Sequence, residues 1–98
     1  MAPTFETSSP FDRDRKALTP EQRERFSAAV RDFVTDLQDG RPPRPGLRIK
    51  GVQGAPGVFE FTFAPDGRAT FQYGKEVRPG EAHIVWRRIG THAIFKKP

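Results

Sequence analysis

The hydrophobic period changes once along this chain, and prolines mark the change. Between Thr19 and Gly40 the apolar residues Phe26, Ala29, Val30, Phe33, Val34 and Leu37 recur every three or four positions. That spacing places them on one stripe of an α-helix. Beyond Leu47 the spacing falls to two, most plainly where Phe59, Phe61 and Phe63 alternate with Val58, Glu60 and Thr62. A period of two is that of a strand with distinct faces. Between the two regimes lies Arg41-Pro-Pro-Arg-Pro-Gly46. No α-helix runs through it, because proline lacks the N–H and its ring clashes with the preceding turn. Helices followed by strands, without interleaving, define an α+β chain rather than a parallel α/β one.

The helical half has two start signals. Ser9-Pro10 offers a cap with proline in the first turn, and predicts a short helix from Pro10 to Ala17 with Phe11 and Leu18 as its apolar contacts. Thr19-Pro20-Glu21-Gln22 is stronger, with a capping Thr, a first-turn Pro and Gln at the reciprocal position of a capping box. It predicts a helix from Pro20 to about Gln38, ended by Gly40 and the prolines after it. Arg23, Arg31, Asp32 and Asp36 fall on its polar side.

The second half reads as four strands. Leu47, Ile49 and Val52 predict the first, with Arg48 and Lys50 on the opposite face and Gly51 as a bulge. Gly54 to Gly57 is a turn. Val58–Phe63 is the second strand, Pro65-Asp66-Gly67 a tight turn, and Arg68–Tyr73 the third strand. A loop over 74–81 leads to the fourth, Ala82–Ile89. The expected architecture is an N-terminal helical hairpin packed on one face of a four-stranded, mainly antiparallel sheet. Residues 1–9 are expected to be a flexible lead, 10–95 the domain and 96–98 a basic end. The helices must cover the Phe stripe. The open face then carries Arg48, Lys50, Glu60, Arg68, Thr70, Gln72 and Arg88, an arrangement that only an antiparallel sheet tolerates.

Charge is distributed unevenly. Residues 1–40 hold six Arg/Lys against eight Asp/Glu, a balance of −2, and residues 41–98 hold eleven against four, a balance of +7. An excess confined to the strand half points to an anionic partner for that half, and RNA fits it best. Cysteine is absent, which excludes disulfides and thiolate metal sites and fits a cytoplasmic setting. Met1–Pro10 has no basic segment followed by an apolar run, so no signal peptide is read there, and no apolar stretch approaches the roughly 20 residues that cross a bilayer.

Two groupings could carry chemistry. On the open face, Arg grips phosphate in bidentate fashion while Thr and Gln reach sugar or base edges; any solvated sheet face would also be polar. The second grouping is Arg68 with His92, one of only two histidines. An imidazole that moves a proton beside a guanidinium that holds a phosphate suffices for metal-free RNA cleavage; a histidine in a turn also serves as a cap or a surface group. His83 has no such neighbours and reads as structural or surface. His and carboxylates nowhere fall at metal-ligand spacing, Gly-x-Ser-x-Gly is missing, and Gly54-Ala-Pro-Gly57 leads into a strand rather than opening a helix as a phosphate loop does.

In element order and in several short motifs the chain resembles the RelE/ParE superfamily of bacterial toxins, particularly its RelE, YoeB and HigB ribonuclease branches. The resemblance spans about residues 10–95. It rests on Phe11-Asp-Arg-Asp-Arg-Lys-Ala-Leu18, the amphipathic helix, Leu47-Arg-Ile-Lys50, Gly57-Val-Phe-Glu-Phe61, Gly67-Arg68-Ala-Thr-Phe71, and His83-Ile-Val-Trp86 running into Gly90-Thr-His92. It implies a type II toxin acting as a ribosome-dependent, metal-independent mRNA endonuclease with no cofactor and with a cognate antitoxin as partner. It also implies roles: Arg68 on the phosphate, His92 as general acid, and Arg48, Lys50, Thr70, Gln72 and Arg88 on the RNA. Glu60 matches a carboxylate of HigB-like members. Phe95 lies near a position that often holds Tyr, and Thr62 stands where Arg is common. The base of the YoeB-type branch has no counterpart between Lys50 and Gly57. The alternatives are a non-catalytic RNA- or protein-binding module on the same fold, and a ParE-like gyrase inhibitor.

Overall fold

The structure, a computed structural model, describes residues 3–98. Its elements run β1 (Thr4–Thr7), α1 (Ser9–Lys16), α2 (Pro20–Gln38), a 3-10 turn (Pro45–Leu47), β2 (Lys50–Gly51), β3 (Val58–Ala64), β4 (Gly67–Tyr73), β5 (His83–Gly90) and a second 3-10 turn (His92–Lys96). The α+β class and the antiparallel β2-β3-β4-β5 order match the sequence expectation, but the sheet has five strands in the order β1-β5-β4-β3-β2 and is mixed. The fifth strand is β1, parallel to β5 with Thr4 opposite His83 and Thr7 opposite Trp86. Thr4–Thr7 of the expected lead is therefore sheet and Ser9 opens α1, while Met1 and Ala2 lie outside the described residues. His83 locks β1 in place: its Nδ1 lies 2.7 Å from the Thr4 hydroxyl and its Nε2 2.7 Å from the Glu6 carboxylate.

α2 forms where its signals place it. Thr19 and Gln22 make the full capping box, each side chain bonded to the other's backbone N–H. α1 is capped by Ser8 rather than Ser9. Past Trp86, α1 takes over the β5 edge from β1: the Ser8 hydroxyl donates to the Arg87 carbonyl, and Asp14 accepts from the Ile89 N–H at 3.1 Å and from Arg88 Nε at 2.6 Å. Asp14→Ala strands both donors. Hydrogen bonds to charged groups are worth about 1.5–3 kcal/mol, and a loss of that size in urea unfolding, with faster amide exchange at Ile89, is the expected outcome.

The core is aromatic. Phe33, Phe61 and Phe71 are fully buried, and Trp86 nearly so. The Trp86 ring lies 5.1–5.4 Å, centroid to centroid, from Phe26, Phe61 and Phe71, mostly edge-on, the favoured geometry for ring quadrupoles. The sheet face opposite this cluster is the one the sequence leaves polar.

The proline-rich connector is tied down by one carboxylate. Asp36 was expected on the polar side of α2, yet it is buried. It accepts from the Arg44 backbone N–H at 2.9 Å, from Nε at 3.0 Å and from Nη2 at 2.9 Å. The Arg44 side chain and then its backbone N–H pull the Asp36 carboxyl from its ordinary 3.8 to about 2. A lowered carboxylate pKa adds stability that is complete above the unfolded value and disappears as pH falls through the folded one. Asp36 therefore stabilises the fold above about pH 4, and this contribution drains between about pH 4 and pH 2. Asp36→Asn is expected to lower Tm near neutral pH and to flatten the acid limb of Tm against pH in that window.

Candidate nucleic-acid interface

The register sets the predicted residues in two adjoining rows across the sheet. One runs Lys50, Glu60, Thr70, Arg88. The next runs Thr62, Arg68, Gly90. Core rows separate and flank them, with Phe61, Ala69 and Ile89 between and Phe59, Phe71 and Trp86 beyond. Most of the residues singled out in the sequence thus gather at one end of the face opposite the aromatic core.

Arg68 opens β4 directly after the hairpin turn. An added Cβ at Gly67 would stand 2.5 Å from the Phe63 ring, so a side chain there would force that ring to move. Arg68 Nη1 donates to the Ala64 and Gly67 carbonyls, both at 3.0 Å, which braces the guanidinium against the turn. Among the described residues its Nε and Nη2 make no hydrogen bond. His92 begins the turn after β5, two residues beyond the Gly90 that faces Arg68. Thr91 caps this turn by accepting from the Ala93 N–H, and the buried Ile94 anchors it. The imidazole is exposed and packs edge-on against Phe95, with centroids 5.0 Å apart.

Other expectations need correction. Arg48 does not lie on a strand. Pro45-Gly46-Leu47 closes a 3-10 turn, Arg48 follows in the left-handed region at φ 48°, and β2 shrinks to two residues. Arg48 instead lines a cleft of about 700 Å³ between α2 and the hairpin, with Arg25, Thr62 and Arg68. Lys50 pairs loosely with Glu60 at 3.8 Å. Thr70 is not open to solvent but fully buried, because the C-terminal tail lies over it and its hydroxyl donates to the Pro98 backbone oxygen at 3.1 Å. Gln72 accepts from Arg87, and Arg88 is held by Asp14.

Arg87 is the residue that the sequence reading missed. Strict alternation sends Arg87 and Arg88 to opposite faces. In the sheet Phe71 pairs with Trp86 and Thr70 with Arg88, so Arg87 is the extra residue of a β-bulge. Both arginines then reach the same tail, Arg87 Nε to the Pro98 oxygen and Arg88 Nη1 to the Lys97 oxygen. The signal was there: Ile84, Trp86 and Ile89 step by two and then by three. Among the described residues no three His, Cys, Asp or Glu side chains group as a metal site, and no helix is long and apolar enough to cross a membrane.

A helical pair on a mixed five-stranded sheet is a fold that the chain shares with solved structures of YafQ and RelE. The YafQ chain of the Escherichia coli DinJ–YafQ toxin–antitoxin complex is similar at TM-score 0.63 and 19% identity, over 95% of this chain and 96% of that one. RelE from the RelB–RelE antitoxin–toxin complex of Methanococcus jannaschii gives TM-score 0.59 and 15% identity over 93% and 94% of the two chains. A copper-bound mutant toxin from Helicobacter pylori gives 0.62 and 14% over 95% and 97%. No family model matches the sequence, and no curated protein matches it.

Proposed function

We propose that this chain is a RelE-like toxin of a type II toxin–antitoxin system, cutting mRNA on the ribosome without a metal or other cofactor. One observation carries the proposal: the register that sets Arg68 opposite Gly90 and so brings His92 to the same end of the outer face. In the reaction the ribose 2′-hydroxyl gives up its proton to solvent water as its oxygen attacks the neighbouring phosphorus, and the 5′-oxygen of the next nucleotide leaves. Arg68 holds the phosphate and the charge that builds on it. His92 gives a proton to the leaving 5′-oxygen. The products are a 2′,3′-cyclic phosphate and a 5′-hydroxyl. Arg48 and Lys50, both exposed, hold the strand, and Thr70, Gln72 and Arg88, joined by Arg87, reach it once the tail is off them. Glu60 pairs with Thr70 in the row beside that of Arg68, a carboxylate close to the reacting end.

The partner we propose is an antitoxin, since YafQ and RelE were each solved with one. Cytoplasmic action follows from the same proposal. Induced expression of the wild-type chain in bacteria should stop translation and growth, and co-expression of a small protein encoded next to its gene should restore both. Normal growth with soluble, antitoxin-free protein contradicts the proposal.

The second reading is a binding module without turnover on the same fold. It is favoured by Arg87 and Arg88 being bonded within the chain and by Phe95 lacking a hydroxyl. Tight ribosome binding with intact mRNA would select it.

A further inference from the structure

We infer that Thr70, Arg87 and Arg88 form a phosphodiester-binding cradle that the chain's own tail fills, so that RNA and the tail compete for the same donors. This rests on the RNA-cleaving proposal above and adds a regulated subsite to it. Two donors converge on the Pro98 backbone oxygen: Thr70 Oγ1 at 3.1 Å and Arg87 Nε at 3.1 Å. A third, Arg88 Nη1, reaches the Lys97 oxygen at 3.0 Å. The guanidinium groups are aimed from behind, Arg87 by the Gln72 side-chain oxygen and Arg88 by Asp14. Converging hydroxyl and guanidinium donors around oxygen are what a phosphate group requires.

A phosphodiester offers the same arginines an anionic acceptor, the partner that charge-assisted bonds require. Room for it lies alongside, in a cleft of about 420 Å³ lined by Arg13, Gln72, Arg87, Arg88 and the tail itself. The Thr70 row stands two residues along β4 from Arg68, about 7 Å at the usual strand rise. The cradle therefore takes a phosphate neighbouring the one held by Arg68. When the tail lifts, Lys96 and Lys97 stay tethered beside the RNA.

The test is fluorescence anisotropy of a short labelled single-stranded RNA, with His92→Gln in every chain so that the RNA stays whole. The full chain is compared with one lacking Lys97 and Pro98, each with and without Arg87→Gln, and near-UV circular dichroism checks that each is folded. Removing the two residues should tighten RNA binding by about five-fold or more, roughly the worth of one net hydrogen bond, although a positive charge is lost. Arg87→Gln should cancel that gain. Unchanged or weaker binding after the removal overturns the cradle, as does a gain that survives Arg87→Gln. RNA that binds no better than inorganic phosphate overturns the RNA assignment. If the removal changes nothing while wild-type protein still cuts mRNA, the cradle falls and the nuclease stands. If no chain binds or cuts RNA, both fall.

Discussion

Exchanging His92 for Gln is expected to slow mRNA cleavage by about 10²–10⁴-fold, the usual contribution of a positioned general acid, while RNA binding stays close to wild type. The side chain keeps its place because its position depends on other groups: Thr91 caps the turn, and Ile94 buries its far side. Arg68→Ala should cost about 10²–10³-fold, comparable to removing one preorganised donor from a developing oxyanion, and should also weaken binding, because the contact proposed for Arg68 is made with the phosphate both before and during the reaction. The two variants are separated by single-turnover cleavage beside equilibrium RNA binding. Equal loss of binding in both would remove His92 from proton transfer. Wild-type cleavage in either would remove that residue from the site.

The largest effect on stability is expected at Phe33. It is fully buried and packs on Phe61, Phe71 and Trp86, with centroids 5.6, 5.3 and 6.4 Å away. Phe33→Ala should cost about 3–5 kcal/mol, combining lost transfer energy with the cavity left behind. Small domains hold only about 5–15 kcal/mol in total, so this one change removes a large share. Trp86 is the only tryptophan and sits in the same cluster, so its fluorescence reports the urea transition directly. A shift below about 1 kcal/mol would place the core elsewhere, since exposed sites rarely exceed that.

What could be read from the sequence followed from how local each signal is. The Thr19–Gln22 capping box and the Phe stripe of α2 are written within a few residues, and both are found where expected. The β3–β4 hairpin is equally local, with the aromatic alternation on either side of Pro65-Asp-Gly67. β1 was illegible because Thr4–Thr7 carries a single apolar residue. Its strand character comes from pairing with β5, almost eighty residues away, and from the His83 clamp. His83, read as structural or surface, is buried between Thr4 and Glu6, partners too distant in sequence to be named from it. β2 was overextended because Leu47, Ile49 and Val52 alternate, whereas the left-handed Arg48 breaks the run.

The site divides in the same way. Arg68 and His92 come from short motifs, and the pairing of Arg68 with Gly90 overcomes their separation in sequence by putting the start of β4 beside the end of β5. The accessibility of Thr70, Gln72 and Arg88 was misjudged, because alternation assigns a face but cannot show what lies over it. Here the tail, α1 and neighbouring arginines cover it. Arg87 was lost to an assumption of strict period two, which one bulge defeats.

The central claim is cleavage of mRNA on the ribosome, and end mapping of a defined message tests it most directly. Purified, antitoxin-free protein is incubated with that message on programmed ribosomes and, separately, with the message alone. The expected result is a cut within the ribosome-bound codon that leaves a 2′,3′-cyclic phosphate and a 5′-hydroxyl, at a rate that collapses with His92→Gln, and little cutting of the free message. Intact message on ribosomes that bind the folded protein would contradict the account.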